Sequence, residues 1–295
     1  MADISLTASM RSNLLSLQQT QSLMDTTQER LSTGKKVNSA IDNPSSYYTA
    51  QSLTNRASDL SSLLDSMGQA VQTIQAANEG IEAITEFASQ AKAIANSAND
   101  TSDVDSIENY MKQFDEILEQ IDGIAKDSGY KGVNLLEKDQ ELKVVFNEDR
   151  SSSLTVKSDD ASSEGLGLHA ATGAWTSEAE KGNATEFKTN GKADAGAYVF
   201  NGDKVYEVKK NYDGTTNAVD FNTLVADGSL VETDYKLNDD KSKAIEVTIS
   251  KDKINTSITE VEDAVSKLRN MASVFGNNYS IVENREEFTE NLINV

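Results

Sequence analysis

Two stretches near opposite ends of this chain carry apolar stripes long enough to force helices into side-by-side contact, and the middle of the chain carries none. From Leu53 the apolar or small residues fall at Leu53, Ala57, Leu60, Leu64, Met67, Val71 and Ile74, then at Ile81, Ile84, Ala88, Ala91 and Ala95. The steps alternate between four and three, the spacing of a coiled-coil or long-bundle helix, with Asn78 as the polar interruption. The pattern returns at Ile254, Ile258, Val261, Val265, Leu268, Ala272, Phe275, Tyr279 and Val282, and continues through Phe288, Leu292 and Val295. A helix with one apolar stripe is unstable alone, so the two segments are expected to bury their seams against each other in a long antiparallel rod.

Narrow bundles of this kind suit a chain with only 37% apolar and 6% aromatic residues, although 295 residues leave room for two domains. A net charge of −21 repels phosphate backbones and anionic lipid, so neither nucleic acid nor a membrane surface is an expected partner. The absence of cysteine removes disulfides, thiol nucleophiles and thiolate metal sites together. No apolar run approaches the roughly 20 residues of a membrane span, and the opening MADISLTASM lacks the basic start and apolar core of a cleaved secretory signal. Pro44 is the single proline; few prolines and no cysteines suit passage of an unfolded chain through a narrow exporter, but are equally common in intracellular coiled coils.

A first helix is expected from about Thr7 to Thr33, with Met10, Leu14, Leu17, Met24 and Leu31 on one stripe and Gln21 and Gln28 at core-type positions. Gly34, followed by Lys35 and Lys36, supplies a left-handed stop and favourable charge at the negative end of the helix dipole. Asn43 can cap a second helix, with Pro44 in its first position and an end near Ser97. After the polar break at Asn99, Asp100, Thr101 and Ser102, a third stripe (Val104, Ile107, Met111, Phe114, Ile117, Ile121 and Ile124) predicts a helix folding back along the second. Beyond Gly129 the period changes: short β-prone runs flank Asn147 to Arg150, and a second hairpin is expected around Asn201-Gly202. The fold class is therefore mainly α with a β-rich insert. Residues 1–41 form an N-terminal helix and link, 42–166 the first part of the rod with its β-hairpin, 167–249 a β-rich surface domain, and 250–295 the last rod helix.

Several blocks of this sequence resemble bacterial flagellins. The run from Leu31 to Pro44, LSTGKKVNSAIDNP, is similar to the family's N-terminal block, and Tyr130-Lys131-Gly132-Val133-Asn134-Leu135-Leu136 resembles its aromatic-Asn-Gly-Val-x-Leu-Leu block with Lys131 in place of asparagine. Gly165-Leu166-Gly167-Leu168 looks like the Leu-Gly-Leu before the variable insert, and Leu268 to Gly276 like the family's C-terminal helix. The resemblance implies a structural subunit of the extracellular flagellar filament, exported unfolded through the flagellar type III apparatus, self-assembling for motility and meeting hook-associated proteins. Met10, Leu14, Leu17, Met24 and Leu31 are the expected assembly residues. Family members continue into a second inner-core helix, whereas Val295 falls where the rod helix is still running; a shortened chain, or an unusual variant, is expected to stay monomeric or to associate only weakly.

The same resemblance bears on Toll-like receptor 5, which recognises many flagellins. Strongly stimulating members carry Leu-Gln-Arg-x-Arg-Glu-Leu on the second helix; the matching positions are Ile81 to Phe87, with Ala83 and Thr85 replacing the arginines and Gln113 standing at the family's third-helix glutamate. Weak recognition is expected, because a guanidinium offers planar multidentate contacts that neither replacement imitates. No enzymatic site, metal site or cofactor is expected: His169 is the only histidine and reads as a surface or boundary residue, and Gly34-Lys35 lacks the rest of a phosphate loop. Trp175 reads as the core of a small domain rather than a glycan anchor. The sequons at Asn183 and Asn255 and the acidic pairs Asp159-Asp160 and Asp239-Asp240 carry little weight. Alternative readings are a hook-filament junction protein, a cell-surface glycan-binding protein built on the insert, and a coiled-coil adhesin.

Overall fold

The computed structural model describes residues 8–215 and 218–294. Thr7 and Val295, both expected in helices, lie outside them. The chain runs through α1 (Ala8–Thr33), α2 (Pro44–Asp100), α3 (Val104–Asp127), a hairpin of β1 (Glu141–Val145) and β2 (Ser153–Lys157), and the short α4 (Ser163–Leu166). Strands β3 (Thr176–Glu186), β4 (Lys192–Ala193), β5 (Tyr198–Asn201), β6 (Lys204–Val208) and β7 (Tyr212–Asp213) follow, then α5 (Phe221–Ala226), β8 (Leu230–Thr233), β9 (Lys236–Leu237), β10 (Lys243–Ile249) and α6 (Lys251–Ile293). This is a mainly helical protein with long helices and a β-rich insert, as its sequence predicts. Two compact units partition it: residues 1–69, 144–154 and 283–295 in one, residues 70–143 and 155–282 in the other.

In the larger unit the rest of α2 packs with α3 and most of α6. Lys251, at the start of α6, donates from Nζ to the carbonyl oxygens of Ala98, Asn99 and Thr101, and Lys92 pairs with Glu262 at 2.7 Å, so α2 and α6 run antiparallel. Gly80 fixes the approach of α3: a Cβ there would stand 2.1 Å from Ser128 Oγ and 2.8 Å from Leu136 Cδ1, a space that any side chain would close. Val71, Ile74, Ile81, Ile84, Ala88, Ala91 and Ala95 are buried as the stripe predicts. Asn78, at the interruption, is half-buried, and its Oδ1 lacks solvent and any hydrogen-bond partner among the described residues.

The seam of α6 differs from the expectation by one residue at alternate positions. Ile254, Val261, Leu268, Phe275 and Val282 are buried as expected, but between them the interior takes Ser257, Ala264 and Met271, leaving Ile258, Val265 and Ala272 half-buried at its flank. Trp175 explains the serine. Its indole is fully buried, stacks 5.0 Å from Phe114 on α3, and donates Nε1–H to Ser257 Oγ at 3.0 Å. The tryptophan is therefore core as predicted, but core of the helical bundle rather than of the β insert. Asp115 positions it by accepting from the amides of Ala171 and Thr172 at 2.6 and 3.0 Å, and Asp122 accepts from Ser163 N at 2.7 Å, so two α3 carboxylates hold the connecting segment down.

The insert forms a six-stranded sheet of order β8-β6-β5-β3-β10-β9, antiparallel except where β3 runs parallel to β5. The β5–β6 hairpin is the expected one with its turn displaced by one residue. Asn201 pairs with Lys204, leaving Gly202 and Asp203 as the turn, and Gly202 takes the left-handed φ of 68° that glycine adopts at least cost. Val199, Tyr206, Val208, Tyr212, Leu224 and Leu230 form its main core.

In the smaller unit the first turns of α2 lie bare. Leu53 is 59% exposed and Leu64 half-buried, against the expectation that both sit in a dry seam; the first well-buried stripe residue is Leu60. The tip of the β1–β2 hairpin is closed by Arg150 N donating to Asn147 O, Glu148 pairs with Arg56 at 2.8 Å, and the Arg285 guanidinium lies 5.4 Å over the Phe146 ring. At the end of α6, Thr289 is buried whereas Phe288 and Leu292, expected on the stripe, are exposed.

Candidate self-association surface

All five expected assembly residues lie on α1, and none is covered. Met10, Leu14, Leu17, Met24 and Leu31 are between 48% and 84% exposed. The helix is held by its own short-range bonds: the hydroxyls of Thr20, Thr26, Thr27 and Thr33 donate to carbonyls four residues back, and Gln21 Nε2 donates to Asp25 Oδ1 at 2.9 Å. Gln21, predicted to face a partner, thus already has one donor satisfied locally.

The sequence reading missed a second apolar face. Leu15 and Leu23 are 57% and 70% exposed, and with Gln18, Gln19, Ser22 and Thr26 they line a shallow groove. At 100° per residue Leu15 lies about 155° and Leu23 about 125° from the centre of the Met10–Leu31 stripe, on the far side of the helix. A pair spaced by eight adds little to a heptad count, and each leucine directly follows or precedes a stripe residue, so it was hidden by the stronger pattern.

The link from α1 to α2 is tightly built. Gly34 takes the predicted left-handed stop at φ 66°, and Asn43 caps α2 by accepting from Ser46 N at 3.1 Å. The Asp42 carboxylate accepts from the amides of Ser39 and Asn38 at 3.1 and 3.2 Å, and those two bonds, Ser39's first, hold its pKa below the ordinary aspartate value.

The three positions expected to face the receptor do not converge. Ala83 and Thr85 are half-buried on α2, with the Thr85 hydroxyl donating to Ile81 O at 2.7 Å, and Gln113 is exposed on α3. Since Gly80 lies against Ser128, Gln113 stands some ten residues further along the pair, about 15 Å at 1.5 Å per residue. His169 is exposed and its Nδ1 stands 3.0 Å from Glu260 Oε1. Among the described residues no group of three or more His, Cys, Asp or Glu is placed to hold a metal ion, and no helix is long and apolar enough to cross a membrane.

Comparisons with known proteins converge on one family. Residues 4–141 match the bacterial flagellin N-terminal helical region. The chain is 32% identical over 157 residues to flagellin FljK of Caulobacter vibrioides, covering 52% of this chain and 57% of that protein. It is 31% identical over 170 residues to FljO of the same organism, covering 57% and 62%, and 29% identical over 222 residues to a Shigella flexneri flagellin, covering 72% and 38%. The chain thus spans about three fifths of the length of the Caulobacter relatives that it matches. Among solved structures, Bacillus cereus flagellin aligns with 75% of this chain and 86% of its own at a TM-score of 0.43 and 11% identity. The matched N-terminal region and these relatives are all bacterial flagellins, the family that this chain is similar to.

Proposed function

We propose that this protein is a structural subunit of the flagellar filament, exported unfolded and self-assembling through α1, with no catalytic role. One observation carries the reading: α1 exposes apolar residues on two opposite faces. A helix with a single adhesive face closes into a pair, whereas one with two opposed faces engages a neighbour on each side and propagates head to tail. The amides caged by Asp42 hold the exit of this helix in a fixed geometry, which repetition along a filament requires. The similarity to flagellins supports the structural class, and the hook-filament junction and glycan-binding readings gain no specific support.

Sedimentation velocity against concentration tests the assembly mode. Self-association is expected to weaken with Leu17→Asp, on one face, and separately with Leu15→Asp, on the other; association that survives both changes would remove α1 as the assembly surface. We further propose that Toll-like receptor 5 responds weakly, because Ala83 and Thr85 supply no guanidinium and Gln113 supplies no carboxylate. Full potency from endotoxin-free protein in a reporter cell would refute that reading.

A further inference from the structure

The outer edge of β10 is only partly paired. β9 covers Ala244 and Ile245 alone, leaving Glu246 to Ile249 without a strand on that side. The direction of the free groups follows from alternation along the strand. Ser242 O accepts from Ala184 on the β3 side, while Lys243 exchanges hydrogen bonds with Asn238 on the β9 side, so Ile245, Val247 and Ile249 also aim their amides and carbonyls outward. Among the described residues neither Val247 nor Ile249 has a backbone partner on that side. This edge opens into a groove whose far wall is the α2–α3 turn, Ser102 to Asp105, and whose end is closed by Tyr235 to Asp239. The lysines lining it are already engaged: Lys236 with Asp105 and Glu108, Lys204 with Glu232, and Lys241 with Asp203. Asp103 is partly compensated by the nearby Lys236 charge, whereas Asp234 and Asp239 line the groove with no ion-pair partner among the described residues.

We propose that this groove docks an extended basic peptide of a partner protein, which continues the line of β9 and pairs its backbone with Val247. Backbone pairing at an open sheet edge supplies affinity, and the uncompensated carboxylates select lysine or arginine on the incoming strand. Asp103 also caps α3, accepting from Ser106 N at 3.0 Å, so the two loop aspartates are the cleaner positions to change.

The test is fluorescence anisotropy of a labelled heptapeptide, Lys-Thr-Lys-Val-Lys-Thr-Lys, titrated with the intact chain at low salt. Saturable binding is expected, weakened on the order of tenfold by Asp234→Lys with Asp239→Lys. The same peptide N-methylated at every residue keeps its charge but has no amide donor on either edge, and is expected not to bind. Val247→Pro removes the outward amide without touching the β3 ladder and should abolish binding, with circular dichroism confirming the fold; if that variant unfolds, the N-methylated peptide makes the same distinction. Equal binding of both peptides would reduce the groove to diffuse electrostatics and overturn the proposal. So would an absence of saturation, or occupation of the edge by a second copy of this chain.

Discussion

Helices α1 and α3 are of similar length, 26 and 24 residues, yet they have opposite fates. α3 buries Ile107, Met111, Phe114, Leu118 and Ile121, while α1 leaves Met10, Leu14, Leu17, Met24 and Leu31 in water. The difference lies in what else the chain supplies. α3 has partners on both sides, brought by a three-residue turn from α2 and by a returning α6, and its stripe is bulky throughout. The α1 stripe is interrupted by Gln21 and Gln28, and its second face is opposite the first, so no single partner could dry it. Apolar residues in the first case make a core, and in the second the exposed surface that we propose for self-association.

The sharpest way to break this contrast is to place the same charge in both settings. Leu268→Asp puts a carboxylate among fully buried neighbours and is expected to cost about 4 kcal/mol in chemical denaturation. Leu17→Asp, on a residue 69% exposed, should leave the monomer's midpoint within experimental error. Comparable losses would mean that α1 is packed in solution.

A smaller effect tests the indole hydrogen bond inside the bundle. Trp175→Phe keeps most of the ring contact with Phe114 but orphans the buried Ser257 hydroxyl and opens a void. A loss of about 2 kcal/mol is expected, partly recovered by Ser257→Ala in the same chain, because removing both polar partners costs less than stranding one. Additive losses would show that the bond contributes nothing. Asn78→Leu should run the other way, raising stability by about 1 kcal/mol, since its buried oxygen lacks a partner in the bundle. A marked loss would reveal an ordered water or a register role for the amide.

The smallest effect belongs to the exposed unit and depends on pH. Burial, then the neighbouring Glu283 and Glu290 carboxylates, raises the pKa of Glu286 above its ordinary value of 4.5. A raised carboxyl pKa means that the folded chain binds this proton more tightly. Its favourable contribution is full below the unfolded pKa and is lost as pH rises through the folded one, so at neutral pH the charge is unfavourable. Glu286→Gln should therefore raise the melting temperature at pH 7 and give no gain near pH 3. A gain of the same size at both would exclude the charge as its source.

The periodic parts of this fold were legible because heptad spacing, glycine stops and caps are local signals. Gly34, Asn43 and Pro44 behave as their chemistry predicts. The departures come where a distant partner decides. Ser257 displaces Ile258 from the α6 interior because Trp175, 82 residues earlier in the chain, needs an acceptor there, and a count of apolar residues scores serine as noise. Leu53 reads as seam because its spacing is right, but spacing says nothing about whether a neighbour reaches that far. The Gly202 turn shifted by one residue because the strand register, rather than the Asn-Gly dipeptide alone, sets the loop.

The lysine that closes the end of α2 belongs to a helix synthesised some 150 residues later. The α2–α3 pair can form early from local contacts, but it must keep one apolar flank wet until the insert and α6 have been made. Loop closure over such a span is slow compared with helix formation, so the bundle completes only when α6 is available. Timing is thus written into the topology. Until α6 has been made, the α2–α3 pair lacks the partner that would make its folding cooperative.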